Sequence, residues 1–207
     1  MFPLGVLKRK STNTVGSLKL SLPFATDAID ISGNNIPTRT AQGTPTYSSG
    51  YLLLDNNDVI ATGTTDGQVQ SSLNTTGKGW QIEFDVQMIA TANTRILCKS
   101  IHTADAVPSI QLEQSTGILR FRSQGNINVF TVNVGLDMSA AFFNVKIVQT
   151  TTADYPKLYI NNNLIATSVY SGNLFGDTTY EDGFIFGSGS NGTGFKIKNF
   201  KFYIQHS

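Results

Sequence analysis

Hydrophobic and polar residues alternate with a period of two along much of this chain. The clearest run is Trp80–Ile89, with Ile82, Phe84, Val86 and Met88 on one parity and Gln81, Glu83, Asp85 and Gln87 on the other. Successive side chains of a strand point to opposite faces, whereas a helix would scatter both sets, so the run predicts a strand with one buried face. Phe142–Thr150 repeats the pattern through Phe143, Val145 and Ile147, with Asn144 and Lys146 opposite, and Ser17–Phe24 sets Leu18, Leu20 and Leu22 in phase. Arg95–Ile101, Ser109–Glu113, Ile118–Ser123 and Asn128–Val134 follow at short intervals, punctuated by Gly117 and Gly125. Tyr51–Leu54 and Val59–Thr62 flank Asp55–Asp58 and read as a hairpin or strand-turn. Leu158–Ile160 and Leu164–Ser168 bracket Asn161-Asn162-Asn163, a turn in which asparagine tolerates positive φ. Asp27–Thr46, with Gly33, Asn34-Asn35, Pro37, Gly43 and Pro45, is loop chemistry with room for one short strand.

The chain closes with Phe184–Phe186, a glycine-rich stretch over Gly187–Gly194, and then Phe195–Gln205. Phe195 and Ile197 are in phase there, but Phe200, Phe202 and Ile204 fall on the other parity; a bulge near Asn199 restores one inward face. Many strands and no amphipathic helix predict an all-β, two-sheet antiparallel sandwich. Composition agrees: 40% of the 207 residues are hydrophobic and only 14% charged, which suits short strands joined by polar turns. One domain of this size is expected, spanning residues 17–207. Residues 1–16 carry no strand pattern and are expected to form an arm outside it, with Phe2 and Leu4 ahead of the basic cluster Lys8-Arg9-Lys10.

A formal net charge of +1 provides no global field for nucleic acid or an anionic membrane, and three charges in an arm suit docking better than nucleic-acid binding. No stretch approaches the ~20 apolar residues that span a bilayer. The apolar start precedes its basic cluster, the reverse of a secretory signal. Asn74-Thr75-Thr76 and Asn191-Gly192-Thr193 match the glycosylation pattern, which has little meaning without secretion. Cys98 is the single cysteine, so no intrachain disulfide forms, and its place in Ile96-Leu97-Cys98 reads as a small buried hydrophobe rather than a nucleophile.

The candidates for chemistry are few. Glu83 and Asp85 share a strand face roughly 6.5–7 Å apart. Jelly-roll glycoside hydrolases place three carboxylates on such a strand, but the third position here is Gln87 or Met88, and glutamine cannot give and recover a proton. A lectin-like metal pair built on the same residues would need further hard oxygens; Asn93, His102 and Asp105 are nearby but do not line up, and Thr94 stands where a carboxylate is wanted. His102 and His206 compose no nucleophilic triad, and Gly187–Gly194 lacks the lysine and helix of a phosphate loop. No cofactor or metal is therefore expected. Glycan binding asks for less: an aromatic plane with amides or carboxylates near it. Tyr155, Tyr170 and Tyr180 lie in loops of that composition, with Phe175, Asn173, Asp177 and Asp182 close in sequence; Arg120 and Arg122 share an outward face that suits acidic sugars. Trp80 begins a core strand and reads as a packing anchor.

Several segments in order resemble the concanavalin A-like jelly rolls, especially the laminin-G-like branch: Trp80-Gln81-Ile82-Glu83-Phe84-Asp85-Val86, Arg95-Ile96-Leu97-Cys98-Lys99-Ser100, Gly117-Ile118-Leu119-Arg120-Phe121 and Phe142-Phe143-Asn144-Val145-Lys146-Ile147. Lys157-Leu158-Tyr159-Ile160-Asn161 resembles the family's hairpin, with Asn162 in place of a glycine, and Phe195-Lys196-Ile197-Lys198-Asn199-Phe200 its closing strand. The opening Met1-Phe2-Pro3-Leu4-Gly5 is similar to the start of small structural proteins of tailed bacteriophages, some of which carry laminin-G-like domains. The resemblance implies a concanavalin A-like fold. It also implies a non-enzymatic virion structural protein, assembled in the host cytoplasm and displayed on the particle surface for attachment or glycan binding. Its partners would be other virion proteins through the arm, a cell-surface glycan, and further copies of itself. A jelly-roll hydrolase using Glu83 and Asp85, or a free-standing lectin, are the alternatives.

Overall fold

The computed structural model describes residues 16–55, 58–63, 77–89, 93–98, 108–123, 127–172, 174, 184–187 and 194–204; within 93–98 it describes the backbone and the Ile96 side chain. These form two antiparallel sheets. Sheet A runs β13 (Asn163–Thr167), β12 (Lys157–Ile160), β11 (Phe143–Gln149), β6 (Trp80–Met88), β15 (Gly194–Ile204), β4 (Tyr51–Asp55) and β3 (Thr46–Ser48), and β1 (Ser17–Leu22) also pairs with β15. Sheet B runs β10 (Asn128–Asn133), β9 (Ile118–Arg122), β8 (Ser109–Glu113), β7 (Asn93–Cys98), β14 (Ile185–Phe186), β5 (Val59–Thr62) and β2 (Thr38–Gln42). The chain changes sheet between β4 and β5, between β5 and β6 and again between β6 and β7, as a jelly-roll sandwich requires. No helix occurs among the described residues, and so none is long and apolar enough to cross a membrane.

The alternation of β6 becomes its two faces. Trp80, Ile82, Phe84, Val86 and Met88 are all buried against sheet B, while Glu83, Asp85 and Gln87 stay partly exposed. Burying each large side chain is worth about 1.5–3 kcal/mol. Edge-to-face rings add to this, with centroids 5.7 Å apart for Trp80–Phe121, 4.8 Å for Phe186–Phe200 and 4.8 Å for Phe184–Phe202. Trp80 is thus the packing anchor that its position predicted, and its indole N–H donates to Gln149 Oε1 at 2.8 Å.

The bulge near Asn199 is present. Pairing between β15 and β6 shifts register between Lys198 and Lys201, Asn199 has φ 54°, and its N–H donates to Pro23 O at 3.1 Å. Phe195, Ile197, Phe200, Phe202 and Ile204 consequently all face inward. The asparagine turn also has the expected backbone, with φ of 49° at Asn161 and 66° at Asn162.

One expectation is corrected. Tyr51–Leu54 and Val59–Thr62 are not a hairpin: β4 pairs with β15 and β3 in sheet A, β5 with β14 and β2 in sheet B. The buried Asp58 braces the turn between them. Its carboxylate accepts from the backbone N–H of Thr44 (2.8 Å) and of Asp55 (3.3 Å), and its own N–H donates to Asp55 O (2.7 Å). A Cβ at Gly187, which has φ 89°, would collide with the Asp58 carbonyl oxygen, so glycine is required where β14 meets this turn. Asp27–Thr46 holds the one short strand expected of it, β2, and β3 opens at its last residue. Both are edge strands with partly exposed side chains, so no hydrophobic period marks them. The loop before β2 is organised by the buried Asp30, whose carboxylate accepts from the N–H groups of Ser21 (3.0 Å), Ser32 (2.8 Å) and Ile36 (3.0 Å).

Candidate functional site

The outer face of sheet A carries the densest polar chemistry among the described residues. Strand register lines it up in rows. Lys146 (β11), Glu83 (β6) and Lys201 (β15) form one, and Asn144, Asp85 and Lys198 form the next. Phe142, which precedes β11, and Tyr51 at the start of β4 flank the rows, with ring centroids 5.8 Å apart.

Glu83 and Asp85 share this face, as the period predicts, and amides hold them there. Asn144 Nδ2 donates to Asp85 Oδ1 at 3.0 Å and to Glu83 Oε1 at 3.4 Å. Asn199, set by the bulge, donates to Asp85 Oδ2 at 2.7 Å, and Gln81 Nε2 to Glu83 Oε2 at 3.4 Å. At the position where a hydrolase would carry its third carboxylate, Gln87 Nε2 donates to Ser139 O at 2.8 Å and Gln87 Oε1 accepts from Lys196 Nζ at 3.5 Å. Among the described residues these amides cross-link the two carboxylates, and no third carboxyl group stands on the β6 face beside them.

Three lysines of this face lie on rings. Lys198 Nζ is 4.3 Å from the Phe142 ring centroid, Lys146 Nζ 4.8 Å from that of Tyr159, and Lys196 Nζ 5.1 Å from that of Tyr51. Burial, with the Glu83 charge second, pushes the Tyr203 hydroxyl above the usual tyrosine range. Near Gln87, the Asp137 carboxylate is held below its ordinary range by hydrogen bonds from the Ser139 hydroxyl and backbone N–H.

Two of the expected glycan contacts are brought to neighbouring loops at one end of sheet A. Gln149, at the end of β11, is wholly buried, and its Nε2 donates to Asp154 O at 3.0 Å and to Gly172 O at 2.9 Å. Gly172 N–H donates to Thr152 O at 2.6 Å and Ser168 N–H to Pro156 O at 2.8 Å. Tyr155 and Tyr170 stand on these tethered loops, 53% and 43% exposed, beside an 80%-exposed Val169. Arg120 and Arg122 do share an outward face, but it is that of sheet B, and Arg120 is paired with Glu113 at 2.9 Å. The arginines and the tyrosines therefore belong to different sheets. Tyr180, Phe175, Asn173, Asp177, Asp182, His102, Asp105, His206 and the arm residues Phe2, Leu4, Lys8, Arg9 and Lys10 lie outside the described residues, as do the side chains of Asn93, Thr94 and Cys98.

Sequence reading passed over Tyr51, Phe142, Lys196, Lys198 and Lys201 as a set. The available signal was the outward parity of Lys196 and Lys198, continued after the bulge by Lys201. Assembling them needed the pairing of β15 between β6 and β4, which no local pattern states.

No family model matches the chain, and no curated protein matches it by sequence. Solved structures do match. The receptor binding domain of botulinum neurotoxin mosaic serotype C/D superposes with a TM-score of 0.66 at 14% identity, covering 92% of this chain and 48% of that one. The binding domain of botulinum neurotoxin DC, solved in complex with rat synaptotagmin II, gives 0.68 at 18% identity, over 90% of this chain and 48% of that one. The binding domain of Paraclostridial Mosquitocidal Protein 1 gives 0.65 at 16% identity, over 92% and 49%. The chain spans about half the length of the solved chains it matches. Identities this low establish a shared fold, an all-β jelly-roll sandwich, and nothing finer.

Proposed function

We propose that this chain is a non-enzymatic binding module of a virion, a laminin-G-like member of the concanavalin A-like jelly rolls displayed for attachment to a cell-surface glycan. The observation that carries the non-enzymatic reading is the state of the β6 carboxylates. Glu83 and Asp85 are cross-linked by Asn144, and Gln87 holds the third position in its own bonds to Ser139 and Lys196. Likeness in fold to domains described as a receptor binding domain and as a binding domain supports the same class.

Residues 1–16 serve as the anchoring arm, with Phe2 and Leu4 as apolar contacts and Lys8, Arg9 and Lys10 meeting acidic surface on other virion proteins. The sandwich faces outward, in a homo-oligomer whose copies multiply weak individual contacts. Neither nucleic acid nor membrane is a partner in this reading. Removing residues 1–16 leaves a folded domain that no longer joins the particle; incorporation at the native level contradicts the anchoring role. Glycan capture by the domain without sugar release tests the rest.

A further inference from the structure

We infer that the outer face of sheet A is a binding surface for an acidic polysaccharide, one bearing carboxylate or sulfate groups between free hydroxyls. The inference rests on the binding-module reading and names its ligand class and its place, a face distinct from the tyrosine loops and from Arg120 and Arg122.

Charge is the first argument. Strands β11, β6 and β15 present four lysines outward (Lys146, Lys196, Lys198 and Lys201) against two carboxylates, Glu83 and Asp85, in a chain whose 15 basic and 14 acidic residues nearly cancel. Among the described residues none of the four is in an ion pair. The neighbouring carboxylates take their hydrogen bonds from Asn144, Asn199 and Gln81, and three of the ammonium groups rest on aromatic rings. A ring quadrupole orients an ammonium without neutralising it, so the charge remains available to an incoming anion. Alternate residues on a strand place Lys196 and Lys198 about 6.5–7 Å apart, and two strand spacings separate Lys146 from Lys201 by about 10 Å. That grid meets a polymer with one anion every residue or two.

The second argument concerns donors. Gln81 is 3% exposed, yet its Oε1 has no hydrogen-bond partner, and Asn144 Oδ1 on the same face is likewise buried and unpartnered. Buried acceptors are ordinarily satisfied, so these two mark a shortage of donors beneath the face and are not themselves open to a ligand. The partly exposed carboxylates of Glu83 and Asp85 are what a ligand meets on β6, and they call for hydroxyl hydrogens alongside the negative charge that the lysines take. A saccharide supplies both. A duplex DNA backbone presents its phosphates without hydroxyl donors beside them. Tyr51 and Phe142 add an apolar floor on which sugar C–H faces pack.

The test uses the full chain against immobilised heparin and polygalacturonate, with dextran as a neutral polymer and duplex DNA as a polyanion without sugar-ring donors, at fixed ionic strength. Saturable binding to an acidic polysaccharide is expected, weakening with salt, with DNA and dextran bound far less. Lys196→Gln/Lys198→Gln should weaken it about five- to tenfold, whereas Arg120→Gln/Arg122→Gln should leave it within about twofold. Lys146→Gln/Lys201→Gln is the second variant should the first not fold, as read by circular dichroism. Equal binding by native and lysine variants overturns the inference, as does DNA binding equal to heparin. Capture of neutral glycans alone would overturn it and leave the binding module standing; capture of no glycan at all would overturn both.

Discussion

Four aspartate and glutamate side chains of this sandwich divide into two pairs that do opposite things. Asp30 and Asp58 are buried at loops and accept from main-chain N–H groups of distant residues. Glu83 and Asp85 stand on the outer face of sheet A and, among the described residues, accept from the side-chain amides of Gln81, Asn144 and Asn199. Main-chain donors cannot leave without unfolding the loop, so the first pair holds the fold. Side-chain amides rotate away at small cost, so the second pair keeps a surface in order and can exchange partners with a ligand.

The sharpest way to break this division is Asp30→Ala. It strips three backbone N–H groups of their acceptor and should cost about 3 kcal/mol, read as a lower urea midpoint at unchanged m-value. A shift under about 0.5 kcal/mol, of the size seen at ordinary surface sites, would erase the distinction. Next comes Gln149→Ala, which removes the acceptor of the Trp80 indole and the donor to Asp154 and Gly172. About 2 kcal/mol is expected. Hydrogen exchange should also rise selectively over 151–155 and 168–172, the loops that carry Tyr155 and Tyr170. Asp85→Asn lies lower: a face carboxylate should change stability by less than about 1 kcal/mol in the same urea assay.

The smallest effect joins the face to pH. The Tyr203 hydroxyl is raised first by burial and then by Glu83, so it holds its proton more tightly folded than unfolded. Its contribution is complete below the ordinary tyrosine range and is lost as pH climbs through and above that range, because there the unfolded chain has released the proton first. Tyr47, raised by burial and then by Asp27, acts in the same direction. Glu83→Gln should bring the Tyr203 ionisation back toward its usual range in an ultraviolet titration; an unmoved curve would remove Glu83 as a cause.

Local pattern made most strands legible. Period two locates β6 and β11 to within a residue or so, and broken parity announces the bulge at Asn199. What stayed hidden was pairing. Nothing within Tyr51–Thr62 tells that β4 and β5 leave for different sheets, or that the Asp58 carboxylate between them reaches back to Thr44. The face itself shows the same limit. Glu83 and Asp85 were readable as neighbours on one strand, but Tyr51, Phe142 and Lys198 come from three remote segments and meet only through sheet order. Arg120 and Arg122 were correctly set on one outward face, without any sign that Glu113 would pair with Arg120.

The central claim is that this face binds and does not cut. The most direct measurement incubates the full-length chain with a panel of acidic and neutral glycans and reads both capture and newly released reducing ends. Saturable capture with no release is predicted. Sugar release that disappears in Glu83→Gln would contradict the account.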